Sequence, residues 1–152
     1  MKNILISGAT GFIGQRLVEA VDANTIVLAR EKQSEYETVI CDLKSEVIPD
    51  NALDRVDTVF HLAGLAHDLS DETKIQNIYQ KVNVNATIRL AKLAVKSNVN
   101  KFVFVSSVKA GGSSTFGNCS SEKNQGEPEG VYGKTKREAE LKLLEIGQVS
   151  GM

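Results

Sequence analysis

The sequence predicts an α/β fold built on a doubly wound parallel sheet, and two patterns support this. Short apolar runs alternate with longer segments of helical period, which is the order of elements that leads to parallel strands joined by helices. The runs also lack the apolar–polar alternation of a half-exposed sheet, so we expect strands that are buried on both faces. The 152 residues have the size of one domain, and we predict that residues 1–152 form a single domain.

The individual elements follow from the apolar spacing. The five predicted strands are Ile4–Ile6, Thr25–Ala29, Val39–Cys41, Thr58–Leu62 and Phe102–Val105. Helical spacing is carried by Ile13, Leu17 and Val21 in a first helix, by Ile78, Val82, Ala86, Leu90 and Leu93 in a long helix, and by Val131–Ile146 in the last helix. Because another strand should follow that helix, we expect the chain to be truncated before the sixth strand of the sheet.

The composition excludes several classes of protein. Hydrophobic residues make up 41% of the chain and charged residues 24%, as in ordinary globular proteins and unlike fibrous or disordered ones. The 18 basic residues nearly balance the 19 acidic ones, so no net field attracts nucleic acid or an anionic membrane. No apolar run approaches the ~20 residues that cross a bilayer, and the amino terminus lacks a secretion signal, so a cytoplasmic location is expected.

A glycine-rich turn follows the first strand directly and opens the first helix. Gly8, Gly11 and Gly14 permit a tight turn, close approach of the backbone to a diphosphate, and close packing of the helix against the strand. The amino terminus of the helix adds free N–H groups and positive potential. This context predicts a dinucleotide site of the Rossmann type rather than a turn without a ligand.

Two residues after later strands bear on the choice of dinucleotide. Arg30 stands where an acid often accepts hydrogen bonds from the adenosine ribose. A guanidinium can stack on adenine or pair with a 2′-phosphate, so NAD and NADP both stay open, as does a solvated arginine. Asp42 follows the third strand and can accept from the adenine amino group or cap a helix.

Three side chains form a candidate proton-transfer group. Tyr132 and Lys136 stand at i and i+4 in the last helix, so they share one face. A phenol with the ordinary pKa of ~10 is a poor base at neutral pH, but a nearby ammonium favours the phenolate. Ser107 ends the fifth strand, at the sheet edge where ligands gather, and can hold a substrate hydroxyl; a turn-forming serine is the alternative.

The cysteines and histidines do not have the spacing of a metal site. Cys41 and Cys119 are isolated, so both are predicted to be free thiols. His61 is expected at a strand end beside the cofactor and His67 in a loop. The Gly, Ser and Pro content of Gly111–Gly130 is typical of an active-site lid and also of a disordered segment, and both interpretations stay open.

Six motifs, in chain order, resemble the extended short-chain dehydrogenase/reductases, in the branch of NAD(P)-dependent nucleotide-sugar epimerases and dehydratases. They are Ile6–Gly14, Cys41–Leu43, His61–Gly64, Val82–Thr87, Ser106–Ser107, and Tyr132 with Lys136. The segment Phe102–Lys109 is similar to that of bacterial UDP-sugar 4-epimerases. Two positions differ from the family pattern: Ala86 stands where the family often has glycine, and Arg30 replaces the acid that favours NAD.

The resemblance implies roles for individual residues. It makes Ser107, Tyr132 and Lys136 the catalytic trio and Asn83 a brace from the long helix. The implied contacts to NAD or NADP are Gly8, Gly11, Phe12, Ile13, Gly14, Arg30, Asp42, Leu43, Leu62, Ala63, Gly64, Asn83, Tyr132 and Lys136. The family completes its sugar pocket with a carboxy-terminal substrate domain, which this sequence lacks, so the chain is expected to be the cofactor-binding half of a larger enzyme and inactive by itself.

The implied reaction is epimerisation of a nucleotide sugar, either a UDP-hexose or a UDP-N-acetylhexosamine, through a transient keto sugar. Two alternatives stay open: a dehydratase or reductase of the same family, and a non-catalytic NAD(P)-binding fragment or regulator. A nucleotide sugar is the expected partner, and a homodimer is expected by analogy with the family.

Overall fold

One parallel sheet organises the chain, for which a computed structural model describes residues 2–44, 47–66, 72–112 and 121–152. Its strands are β1 (Asn3–Ser7), β2 (Asn24–Ala29), β3 (Glu37–Ile40), β4 (Thr58–His61) and β5 (Lys101–Phe104). The helices are α1 (Phe12–Ala20), α2 (Glu72–Tyr79), α3 (Ala86–Lys96), α4 (Val108–Gly111) and α5 (Gly130–Ser150). A π-helical segment, Gln80–Asn85, joins α2 to α3. The strand order is β3-β2-β1-β4-β5.

The sheet separates two apolar cores, because successive side chains of a strand point to opposite faces. Leu5 of β1 packs in the larger core with Leu90 of α3. Its neighbours Ile4 and Ile6 pack in the other core with Val18 of α1. Helices therefore cover both faces of the sheet, and the predicted doubly wound parallel sheet is confirmed.

The strand order also locates a crevice. From β1 the chain first adds β2 and β3 on one side, and then crosses over to add β4 and β5 on the other side. In sheets of this kind, ligands bind outside the carboxyl ends of the strands where the order reverses, which here is between β1 and β4. The last residues of these strands, Ser7 and His61, are register partners.

The expectation of burial on both faces is wrong for β3. Its last residue, Ile40, is 56% exposed, because β3 is an edge strand that pairs with β2 alone in the described part of the chain. The strand also begins and ends earlier than the predicted run Val39–Cys41. Cys41 lies past its end, is buried, and donates its backbone N–H to Ala29 O at 2.9 Å.

The π-helical segment changes which residues of the long helix face the core. Ala86, Leu90 and Leu93 are buried as predicted, but Ile78 and Val82 are only half-buried. A π-helical turn is wider than an α-helical turn, so the apolar stripe before it is rotated relative to the stripe after it. The buried residues of this stretch are Tyr79, Asn83 and Val84 instead.

The last helix is longer than its predicted range, and a loop leads into it. Helix α5 continues to Ser150 and ends at Gly151, whose φ of +74° is left-handed. The loop residues 113–120, including Cys119, and also His67 lie outside the described residues. The described end of the loop returns to α4, where Gly126 N donates to Gly111 O at 2.7 Å and Glu129 N to Lys109 O at 2.9 Å.

Candidate cofactor and catalytic site

The glycine turn leaves no room for a side chain where β1 meets the end of β4. Gly8 has a φ of +77°, which favours glycine, and a β-carbon there would lie 2.7 Å from Ala63 N. Gly11 differs, since its φ is −80° and it forms the cap of α1. A β-carbon on Gly11 would meet only Gly8 O, at 3.3 Å, among the described residues. The turn therefore presents bare backbone to the crevice.

Helix α1 begins directly after this turn without a side-chain cap on its first N–H groups. Those groups have no partner inside the helix, and they carry the positive end of the helix dipole. The side chains of Phe12 and Ile13 are 75% and 57% exposed. It is the backbone at these two positions that suits an anionic ligand.

A cavity of about 820 Å³ extends from the glycine turn along the carboxyl ends of β2, β3 and β4. Of the residues that the resemblance connects with a cofactor, it is lined by Gly8, Gly11, Arg30, Asp42, Leu43, Leu62, Ala63 and Gly64. Phe12, Ile13, Gly14, Asn83, Tyr132 and Lys136 do not line it. The volume is in the range of cofactor and small-molecule sites.

Sequence reasoning missed part of the cavity wall. Its further lining residues are Thr10, Leu28, Ala29, Glu31, Gln33, Cys41, Lys44, Leu65, Ile78 and Val82. Several of them stand one to three positions after a strand, so the rule that ligands gather at strand ends could have found them. Ile78 and Val82 could not be found in this way, because the π-helical segment brings them there.

Asp42 and Leu43 hold the end of the cavity near β3 in place. Asp42 Oδ1 accepts from Lys44 N at 2.9 Å, so this carboxylate caps a turn. This role is similar to the helix-capping role that the sequence left open as the alternative to an adenine contact. Leu43 O accepts from Arg89 Nη2 of α3 at 3.0 Å. This hydrogen bond connects the cavity wall to the helix that covers the larger core.

Asn83 braces the site from the π-helical segment and is almost fully buried. Its Oδ1 accepts from Leu65 N at 2.8 Å, and its Nδ2 donates to Leu65 O at 3.0 Å. Nδ2 is also 3.2 Å from Thr135 Oγ1, and this hydroxyl donates to Tyr132 O at 2.9 Å. One amide thus connects the cavity wall with α5, through a threonine that sequence reasoning missed.

Lys136 is buried between α5 and the end of β5. Its Nζ donates to Val105 O at 2.6 Å and lies 3.9 Å from the ring centroid of Phe104. Burial lowers the pKa of Lys136 to about 8, an effect that the negative charge of Glu140 opposes. A β-carbon on Gly64 would lie 3.9 Å from Nζ, so the ammonium borders the wall of the cavity.

Tyr132 is brought close to the end of β5 by the packing of α5 against α4. A β-carbon on its neighbour Gly133 would lie 2.3 Å from Lys109 O, so the two helices approach within backbone contact. The ring of Tyr132 makes an edge contact with that of Tyr79, with centroids 6.3 Å apart. The half-buried Tyr132 therefore starts α5 beside the turn that follows Ser107.

The two serines after β5 differ in their hydrogen bonds. Ser107 caps α4, with Oγ accepting from Lys109 N at 3.3 Å, so the turn-forming alternative is present. Because this contact uses only a lone pair, the hydroxyl proton of Ser107 stays available to a substrate oxygen. Ser106 Oγ is buried without a hydrogen-bond partner among the described residues, and a ligand group near the strand end could satisfy it.

His61 ends β4 as predicted, but it is fully buried and does not line the cavity. Its two ring nitrogens have partners in β1 and α3, Ser7 Oγ and Thr87 Oγ1, so the ring lies behind the cavity wall, and its place beside a cofactor stays a prediction. Within the described ranges, no three His, Cys, Asp or Glu side chains cluster as metal ligands. No helix of the described ranges is both long and apolar enough to span a membrane.

Fold and site together define a parallel α/β protein of the dinucleotide-binding class, with a tyrosine–lysine pair at the carboxyl edge of the sheet. The chain belongs to the NAD dependent epimerase/dehydratase family, whose model matches residues 4–152. This confirms the resemblance drawn from the six motifs.

Comparison with named relatives shows what share of their length this chain covers. It is 32% identical to the UDP-glucose 4-epimerase of Vibrio cholerae, covering 99% of this chain and 49% of that protein. It is also 32% identical to the N-acetyl-alpha-D-glucosaminyl-diphospho-ditrans,octacis-undecaprenol 4-epimerase of Escherichia coli O157:H7, covering 94% of this chain and 43% of that protein. The structure of MoeE5 in complex with UDP-glucose and NAD superposes with a TM-score of 0.82 at 30% identity, covering 95% of this chain and 49% of that one. The chain spans about half the length of these relatives.

Proposed function

We propose that this chain is the cofactor-binding and proton-transfer part of an enzyme that epimerises a nucleotide sugar through a transient keto sugar. The observation that carries the proposal is the position of Lys136, buried against Val105 and Phe104 and next to Gly64 of the cavity wall. Burial of an ammonium lowers the stability of a fold unless the charge is paired, so a buried lysine that borders a cavity is a candidate functional group. Tyr132 shares its helix face one turn away.

The residues present fit a nicotinamide dinucleotide. The bare backbone of the glycine turn and the free N–H groups of α1 suit the diphosphate, and Arg30 and Asp42 suit the adenosine end. MoeE5, which is 30% identical, was solved with NAD. The chemistry that such a cofactor supplies when bound is reversible hydride transfer.

The chain's own residues supply the proton chemistry. Tyr132 is the group that takes the proton from a sugar hydroxyl and later returns it. Lys136 carries positive charge at neutral pH, because its pKa of about 8 lies above 7, and this charge favours negative charge on a neighbouring oxygen. Ser107 donates its free proton to the oxygen of the reacting carbon, which holds that oxygen in place.

We would test this assignment by measuring the turnover of UDP-sugars by the complete natural protein. The variant Tyr132→Phe should lose at least ~100-fold in kcat, the lower end of what proton transfer by a placed side chain contributes. Tyr36→Phe is the matched control, since Tyr36 packs in the smaller core and does not line the cavity, and it should keep its rate. Equal rates for wild type and Tyr132→Phe would remove this phenol from the reaction.

A second candidate function is net reduction by the same residues, and Arg30 in the cavity wall favours it. A guanidinium at this position can pair with the 2′-phosphate of NADP, a cofactor that exchanges with solution in reductases. Steady consumption of added NADPH with a keto-sugar substrate would select this function. Binding of NAD or NADP without turnover of any nucleotide sugar would select the non-catalytic alternative.

A homodimer belongs to the same proposal. Leu141 and Leu144 of α5 are 49% and 62% exposed and stand three positions apart on one helix face, and neighbouring exposed apolar side chains can form an interaction patch. Sedimentation equilibrium should give a molar mass twice that of the monomer. The variant Leu144→Lys should lower this mass to that of a single chain. The cytoplasmic location expected from the sequence stays a prediction.

A further inference from the structure

Three fully buried side chains join the two central strands to the long helix behind the cavity. Ser7 ends β1, His61 ends β4, and Thr87 lies in the first turn of α3. Ser7 Oγ is 2.5 Å from His61 Nδ1, and His61 Nε2 is 2.8 Å from Thr87 Oγ1. None of the three lines the cavity, so the proposed chemistry leaves their role open.

The direction of each hydrogen bond follows from its neighbours. Thr87 Oγ1 is 2.8 Å from Asn83 O, and a carbonyl oxygen only accepts, so the single hydroxyl proton of Thr87 is donated there. Thr87 Oγ1 must then accept from His61 Nε2, which therefore carries the ring proton. His61 Nδ1 is left as an acceptor and receives the proton of Ser7 Oγ.

The second hydrogen bond of the Ser7 hydroxyl connects it to the cavity wall. Since its proton is donated to His61, Ser7 Oγ uses a lone pair to accept from Ala63 N at 3.3 Å. Ala63 lines the cavity between Leu62 and Gly64. Its backbone N is also the atom that a β-carbon on Gly8 would meet at 2.7 Å, so its position sets how closely the end of β4 approaches the glycine turn.

Other protonation states of His61 break this arrangement. A proton on Nδ1 instead of Nε2 would leave Ser7 without an acceptor for its own proton and Thr87 facing a bare nitrogen. A doubly protonated ring would add a second buried cation near Lys136, whose Nζ contacts the same Phe104 ring on which His61 stacks at 5.8 Å. Burial, with a smaller contribution from the Lys136 charge, lowers the pKa of His61 to about 3, so the ring is neutral.

We propose that His61 and Thr87 are positioning residues for the cofactor site. Thr87 fixes the ring proton of His61 on Nε2, His61 orients the hydroxyl of Ser7, and Ser7 holds Ala63 against the glycine turn. The inference rests on the proposed function for its consequence, which is cofactor affinity. Its hydrogen bonds are measurable without any cofactor.

Nitrogen NMR of the imidazole rings tests the hydrogen bonds. The chain has two histidines, so the variant His67→Gln leaves the signals of His61 alone. We expect the Nε2–H form of His61 from pH 8 to pH 5, without titration. A ring protonated on Nδ1, or one that titrates near its ordinary pKa of ~6.5, would overturn the inference.

A pair of variants at Thr87 tests the consequence. Thr87→Ser keeps the hydroxyl, whereas Thr87→Val keeps the shape and removes it. We expect the calorimetric Kd for NAD to stay within about twofold of wild type in Thr87→Ser and to rise about tenfold in Thr87→Val, the equivalent of one lost hydrogen bond. Circular dichroism of each variant establishes that it is folded.

If Thr87→Val does not fold, Ser7→Ala replaces it, because that variant removes both the acceptor of Ala63 N and the donor to His61 Nδ1 but leaves Thr87 bonded to Asn83. It should also weaken NAD binding about tenfold. Wild-type affinity in the folded variant that lacks the hydroxyl, or equal losses in Thr87→Ser and Thr87→Val, would overturn the positioning role alone. Failure of the wild-type chain to bind either NAD or NADP, with the Nε2–H form of His61 observed, would overturn the proposed function instead.

Discussion

Gly14 approaches Gly8 so closely that Gly14 cannot carry a side chain: a β-carbon there would lie 2.1 Å from Gly8 O. It would also lie 2.7 Å from Ala9 Cα. Both neighbouring atoms belong to the backbone, so space for a methyl group opens only if α1 moves away from β1. Gly11 of the same turn is less restricted, since its β-carbon would lie 3.3 Å from Gly8 O, a tight contact that a shift of a few tenths of an ångström relieves.

This difference predicts that two alanine variants affect different properties, one mainly stability and the other mainly cofactor binding. Gly14→Ala should lower the free energy of unfolding by about 1–3 kcal/mol, as overpacking of a closely packed site does. Gly11→Ala should change it by less than ~1 kcal/mol and weaken the binding of NAD or NADP, because its methyl group would stand where the diphosphate approaches the backbone. Urea unfolding and calorimetry of both variants measure the two effects. Equal losses of stability would contradict the packing described for α1.

The side-chain amide of Asn83 should contribute more to the free energy of unfolding than that of the nearby Asn85. Replacement of Asn83 by alanine leaves Leu65 N and Leu65 O without their partners, so we expect a loss of about 2–3 kcal/mol in the free energy of unfolding. Asn85 is exposed, and Asn85→Ala is the matched control, with less than ~0.5 kcal/mol expected. Similar free energies of unfolding for the two variants would show that the hydrogen bonds from Asn83 to Leu65 do not stabilise the fold.

Lys136 should make stability depend on alkaline pH. Its folded pKa of about 8 lies below the ordinary 10.5, so the unfolded chain binds more protons between these values, and the free energy of unfolding rises as pH increases from 8 to 10.5. The shift corresponds to about 3 kcal/mol across that window. Below pH 8 the charged, buried ammonium costs this amount in full.

The variant Lys136→Met should abolish this rise and be more stable than wild type at pH 7, although it removes a proposed catalytic residue. Lys134 is exposed, and Lys134→Met should keep the wild-type profile. Urea unfolding at several pH values from 7 to 10 gives the profiles. Parallel curves for wild type and Lys136→Met would mean that this lysine is not the group that titrates.

Arg30 should decide between the two dinucleotides. In the part of the chain that the structure describes, it forms no ion pair, and it lines the cavity together with Lys44. If it pairs with a 2′-phosphate, Arg30→Ala should raise the Kd for NADP at least about tenfold and leave the Kd for NAD within about twofold. Lys32→Ala is the control, since Lys32 is exposed and does not line the cavity. Equal effects on both cofactors would assign Arg30 to the adenine ring.

Local features of the site could be predicted from the sequence. The strand that runs into Gly8, the helix that opens after Gly11, and the pairing of Tyr132 with Lys136 all depend on residues that are neighbours along the chain. Backbone conformation at a glycine and the repeat of a helix are local properties, and a sequence displays them directly. The order of motifs was enough to indicate the family.

The partners of each side chain were decided by the tertiary structure. The edge position of β3 exposes Ile40, and the π-helical segment turns Asn83 inward and leaves Ile78 and Val82 at the cavity. Ser7 and His61 are 54 positions apart and meet only because β1 and β4 are adjacent in the sheet. Apolar periodicity reports how a residue relates to its own element, whereas a buried hydrogen bond depends on which elements become neighbours, and that is settled when the whole sheet assembles around its core.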